Sequence, residues 1–177
     1  MTKQYFIVLL FFVQVIVFGQ ITVLKDTREI IAIEITESGL LHWTSEGETT
    51  KLPFVIEQFR WNRWIKIGEV NGVGSIKQHH YSFNPICYHG ENLFRIKPIA
   101  ESKVYKEIKY MSRVPEINYS IEKKTKEIKF NYETMYEVVD ASGEIVKRGF
   151  GLSVSIDNLS KGNYTLKYDN SSVEFKR

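Results

Sequence analysis

The chain has one cysteine, four histidines and four prolines in 177 residues. With Cys87 alone no internal disulfide forms, so stability has to come from a buried core and not from covalent staples. No sign of charge dominates: beyond Lys3, 23 Lys and Arg are interleaved with 21 Asp and Glu, which excludes an electrostatic footprint for nucleic acid. The histidines are too scattered for a metal site, and adjacent His79 and His80 on a strand would point to opposite faces. Cys87 and His89 lack a third partner and read as a loop thiol beside a turn. Gly72-Val73-Gly74 has no Lys-Ser or Lys-Thr after it, so it reads as a hairpin turn and not as a phosphate loop. No nucleophile, base and orienter share a pattern, so the expectation is a non-catalytic protein without cofactor or metal.

Long hydrophobic runs are also absent, with one exception. Tyr5 to Phe18, broken only by Gln14 and preceded by Lys3, has the form of a signal peptide over residues 1–19, with cleavage expected after Gly19. At about fourteen residues it is shorter than the roughly twenty needed to cross a bilayer, so no membrane span is expected after cleavage. A lipid anchor needs a cysteine at the cleavage site, and none is there. The expected location is extracytoplasmic.

What remains alternates. Short apolar-polar segments separated by turn residues predict an all-β chain forming two small β-sandwiches, one over 20–111 and one over 115–177, with Pro115 at the junction. Strands are expected at Glu29–Ile35, Gly39–Thr44, Pro53–Phe59, Arg63–Val70, His80–Asn84, Leu93–Pro98 and Val104–Met111, a spacing that suits a sandwich. The second half is expected to hold Asn118–Glu122, Glu127–Asn131, Met135–Asp140, Ile145–Phe150, Ser153–Asp157, Tyr164–Tyr168 and Val173–Lys176. Lys123 to Lys126 reads as a solvated turn. Leu41 with Trp43, Phe54 with Ile56, Tyr81 with Phe83, and Phe94 with Ile96 share strand faces and form the predicted first core.

Leu41-His42-Trp43, Phe54-Val55-Ile56-Glu57, the run Trp64 to Gly74, Tyr81-Ser82-Phe83 and Gly90 to Lys97 carry a resemblance to fibronectin type III-like domains of secreted bacterial proteins. Pro53 and the turn Phe59-Arg60-Trp61-Asn62 depart from that pattern, which leaves Phe59 and Trp61 as a candidate contact for an unidentified protein or glycan. Val138 to Val146 and Ile156 to Leu166 resemble the C-terminal sorting domain of type IX secretion cargo. That resemblance implies recognition by the type IX translocon, with Gly143, Val146, Lys161, Gly162, Tyr164 and Leu166 in the sorting motif and Gly162 expected to supply an unusual backbone conformation at its turn. Where the family shows a Tyr-Pro-Asn-Pro-like element, this chain has Pro115-Glu116-Ile117-Asn118-Tyr119. The implied function is binding or presentation at the cell surface or in the medium. The alternative is a periplasmic or outer-membrane-associated partner with the same fold and no sorting role.

Overall fold

A computed structural model describes residues 27–99 and 105–177, and the signal-peptide expectation over 1–19 lies outside the described residues. Twelve antiparallel strands, β1 to β12, build the described chain, and no helix occurs among those residues.

Seven strands form the first sandwich: β1 (Glu29–Ile35), β2 (Leu41–Glu46), β3 (Pro53–Arg60), β4 (Arg63–Asn71), β5 (His79–Phe83), β6 (Gly90–Pro98) and β7 (Lys106–Ser112). One sheet has the order β1-β2-β5 and the other β4-β3-β6-β7. Period-two alternation drives this division, since each strand puts one apolar row between the sheets and one polar row outside. Leu41, Trp43, Phe54, Ile56, Tyr81, Phe94 and Ile96 are all buried in one cluster, and Phe83 is half-buried against it. Trp43 stacks on Tyr81 at 5.3 Å and meets Phe54 edge-on at 5.7 Å.

Gly72-Val73-Gly74 is not a hairpin turn, because β4 and β5 lie in different sheets and this segment carries the chain across. Gly72 is needed for space: a Cβ there would come within 2.7 Å of Glu48 Oε2 and 2.9 Å of the Leu52 carbonyl. A buried polar knot holds the crossing. Glu48 accepts from Tyr81 Oη at 2.6 Å and from the Gly74 amide at 3.1 Å, while Arg28 donates to Leu52 O and Thr50 O. Burial, reinforced by the bond to Glu48, pushes the Tyr81 phenol up to about 12.

The C-terminal sheet comprises β8 (Tyr119–Glu122), β9 (Glu127–Asp140), β10 (Ile145–Ser155), β11 (Asn163–Tyr168) and β12 (Ser171–Lys176), ordered β10-β9-β11-β12 with β8 also on β9. Four expected strands are here two long ones. Glu127–Asn131 and Met135–Asp140 run on as β9, and Ile145–Phe150 and Ser153–Asp157 as β10. A register shift between Gly151 and Ser153 lets the β9-β10 pair change direction, as bulges do, so that β8 pairs with the first half of β9 and β11 with the second. The sheet closes over Ile128, Phe130, Val138, Val154, Ile156, Tyr164, Leu166, Tyr168 and Phe175. Lys123 to Lys126 are exposed in the turn between β8 and β9.

Two outcomes follow for the first sandwich. Trp43→Ala removes a fully buried ring at a cost of about 3–5 kcal/mol and should lower the melting temperature by roughly 15 °C or more, read by circular dichroism. A shift of about two degrees or less would contradict that placement. The folded phenol of Tyr81 titrates above its unfolded value, so its contribution is fully present below pH 10 and is lost as pH rises toward about 12. Urea midpoints should therefore fall across that window, and Tyr81→Phe should flatten the fall.

Candidate functional site

The two stretches that resemble the sorting motif meet at one end of the C-terminal sheet. Val138 faces Leu166 and Asp140 faces Tyr164 in the β9-β11 register. Gly143 sits in the β9-β10 turn with φ of 89°, a left-handed conformation that side chains resist. Asp140 fixes this turn through one oxygen, which accepts from Ser142 Oγ at 2.6 Å and from the amides of Ser142 and Glu144 at 2.9 and 3.0 Å. Those bonds, the Ser142 hydroxyl first, hold its carboxyl below the ordinary range.

The six motif residues divide by environment. Tyr164 and Leu166 are core residues, with the Tyr164 ring stacked on Phe175 at 5.7 Å and its hydroxyl donating to Ser160 O at 3.0 Å. Val146 and Lys161 are exposed, like Gly143. Gly162 does not adopt the positive φ expected of it. It exchanges backbone hydrogen bonds with Arg177 at 3.1 and 2.9 Å, extending the β11-β12 ladder by one pair, so its backbone is that of a paired strand end. A shallow depression of about 400 Å³ runs between this turn and the β11-β12 hairpin, lined by Asp140, Gly143, Tyr164, Lys167 and Glu174 among others.

Phe59 and Trp61 are not displayed to solvent as a free aromatic turn. Both are half-buried, and the hairpin tip that carries them is turned toward the C-terminal sheet. Arg60 and Arg63 pair across a two-residue loop in which Trp61 and Asn62 have φ of 50° and 60°. Positive φ at both loop positions is what a type I′ hairpin needs, although Asn-Gly is the usual occupant and a bulky Trp is strained there. Phe59 lies edge-on to Trp64 at 5.4 Å, and Arg63 lies 6.0 Å from the Trp61 ring.

From this tip two arginines reach the second unit. Arg63 Nη2 donates to both oxygens of Glu137, whose side chain is only 3% exposed, and Arg148 Nε donates to Glu137 Oε1 at 2.9 Å. Arg60 is buried, donates to Gln58 Oε1 at 2.7 Å, Ile86 O at 3.0 Å and Asp169 O at 3.4 Å, and lies 4.7 Å from the Tyr88 ring. Burial pulls the Arg60 pKa down and pushes that of the Asp169 carboxyl up, while the opposite charge of each partially restores the other. Sequence reasoning missed Glu137, Arg148, Arg60 and Asp169. The available signal was Glu137 itself, a lone carboxylate in the strand run Met135 to Val139.

On the outer face of β3, Glu57 is buried under Arg95 and Lys97, and Arg95 lies 4.2 Å from the Trp64 ring. Burial alone would raise the Glu57 pKa, but hydrogen bonds from Lys97 and Arg95 outweigh it and hold the carboxyl below its ordinary value. His80 Nδ1 is 2.9 Å from Thr44 Oγ1, and burial pushes the Cys87 thiol up. Among the described residues no group of three His, Cys, Asp or Glu is placed to hold a metal ion.

No family model matches the chain, and no curated protein matches it. Among solved structures it is similar to a biofilm-associated protein, BSP domain, at 12% identity and a TM-score of 0.31, over 84% of this chain. The chain spans 29% of the length of that structure.

The Glu137 cluster has an asymmetric consequence. The arginines are partly solvated, with side-chain exposures of 41% and 62%, whereas the carboxylate is not. Arg63→Ala or Arg148→Ala alone leaves Glu137 one partner and should cost about 1 kcal/mol or less. The double substitution strands a buried charge and should cost about 3–5 kcal/mol in urea unfolding, more than the sum of the two. Additive costs would show that the arginines act independently.

Proposed function

We propose that this chain is an exported, non-catalytic binding or presentation protein, a fibronectin type III-like sandwich followed by a sorting-domain-like unit that the type IX translocon reads. The observation that carries this reading is the pairing of the two motif stretches, Val138 against Leu166 and Asp140 against Tyr164, with Gly143, Val146 and Lys161 left on the surface around them. A translocon that recognises a folded address needs such a division, with buried residues fixing the geometry and exposed ones offering it. The strand orders β1-β2-β5 and β4-β3-β6-β7 support the fibronectin type III-like half of the proposal.

The rival is a periplasmic or outer-membrane-associated partner. It draws on the segment Pro115 to Tyr119, where the sorting family has its Tyr-Pro-Asn-Pro-like element. Here Ile117 and Tyr119 pack against the C-terminal core, and Tyr119 meets Tyr168 at 5.3 Å, so the segment serves the fold.

The test places a fluorescent protein after Gln20 of the full chain in a type IX-competent host. The fusion should appear on the cell surface or in the medium. Lys161→Glu, an exposed charge reversal that leaves the core intact, should reduce export while the protein remains folded by circular dichroism. Retention of the unmutated, folded fusion in the periplasm would favour the rival.

A further inference from the structure

The edge of one sheet and the face of the other border one groove at the junction. β4 ends the sheet β4-β3-β6-β7 and β10 ends the sheet β10-β9-β11-β12, so among the described residues neither has a strand on its outer side. A groove of about 470 Å³ is lined by Arg63, Trp64, Ile65 and Lys66 from β4 and by Arg148, Gly149 and Phe150 from β10, with Met135 and Glu137 between them. That volume lies in the range of about 300–1,000 Å³ typical of ligand sites. Successive residues of a strand point to opposite faces, so four consecutive residues of β4 present a strand edge to the cavity, whereas Arg148 and Phe150 pair across the ladder with Glu137 and Met135 and line it with one face of β9 and β10. What an edge offers is a row of main-chain donors and acceptors.

The side chains add an apolar and a charge preference. Trp64, Ile65, Met135 and Phe150 supply apolar surface, and Phe150 is 49% exposed. Lys66 is paired with Glu69, while Arg63 and Arg148 share the single carboxylate of Glu137, which leaves one positive charge in surplus.

We propose that this groove binds an extended peptide strand of a partner protein, added to the free edge of β4 by main-chain hydrogen bonds, with apolar side chains on Trp64 and Phe150 and a carboxylate facing Arg63 and Arg148. This is strand addition, in which the backbone ladder supplies affinity and alternate side chains supply selectivity. The site belongs to the junction and stands whether or not the C-terminal unit is a sorting address.

The experiment titrates the full chain with fluorescein-labelled decapeptides of alternating valine and glutamate, alternating valine and lysine, and the glutamate peptide N-methylated along its backbone. Fluorescence anisotropy should show the glutamate peptide binding about ten-fold tighter than the lysine peptide at low salt, with the difference shrinking as salt rises. N-methylation, which removes main-chain donors, should abolish binding. Amide exchange should slow at Arg63 to Lys66, and Phe150→Ala, at an exposed position, should weaken binding without unfolding the chain. Equal affinity for both charged peptides, unchanged affinity after N-methylation, protection confined to other strands, or no binding would each overturn the proposal. Sedimentation showing a dimer that Phe150→Glu disperses would overturn it too, by placing a second copy of the chain in the groove.

Discussion

The relative placement of the two units depends on one carboxylate. Glu137 lies on the face of β9 opposite the C-terminal core, where an alternating strand ordinarily presents a polar residue to water. It is instead buried, and a charge removed from water is costly unless opposite charge and hydrogen bonds compensate it. Arg63 supplies that compensation from the first sandwich and Arg148 from the neighbouring strand. Because Arg63 sits at the tip of the β3-β4 hairpin, the bond works only if the tip is aimed at β9. The left-handed conformations of Trp61 and Asn62 aim it there, so strain at the turn is balanced by a contact with the other unit.

A second buried charge on the same tip acts with the first. Arg60 has donors bound on its own strand, on the chain after β5 and at Asp169 in the β11-β12 turn, so a single guanidinium joins three segments distant in sequence. The hairpin that carries the turn Phe59-Arg60-Trp61-Asn62 is therefore the one that touches the second unit. The unusual aromatics at Phe59 and Trp61 are used within the chain: Phe59 packs on Trp64, and Trp61 lies beneath the Arg63 that reaches Glu137.

Much of the fold was legible because alternation is local. β1 falls on its expected residues Glu29–Ile35, and seven of the eight predicted first-core residues are buried, with Phe83 half-buried. The misreadings share a different cause. Tyr132-Glu133-Thr134 is polar enough to pass for a break between strands, yet it stays extended because β9 is long enough to serve β8 with one half and β11 with the other. Gly72 reads locally as a turn glycine, whereas Glu48, 24 residues earlier in the chain, sets its lack of a side chain. Likewise Trp61 reads as exposed because its turn replaces the more polar residues of the resembled pattern, whereas the tip is half-buried toward the C-terminal sheet. Each error concerns a contact between distant segments, which period and propensity do not encode.

The same long-range arrangement bears on how a chain without disulfides tolerates open sheet edges. An unpaired edge invites pairing with other chains, and natural sheets commonly blunt it with charge, twist or cover. β4 carries Arg63 and Lys66 along the groove, and the Glu137 contact holds its edge over the face that β9 and β10 present. The face of β9 and β10 thus screens the β4 edge from a second sheet, which is a broad object, while leaving the cavity open to something narrower. Were the arginines simply solvating groups, there would be no reason for two of them to converge on a carboxylate in the floor of that cavity. Their convergence ties protection of the β4 edge to the joint between the units, so loss of the joint would expose that edge.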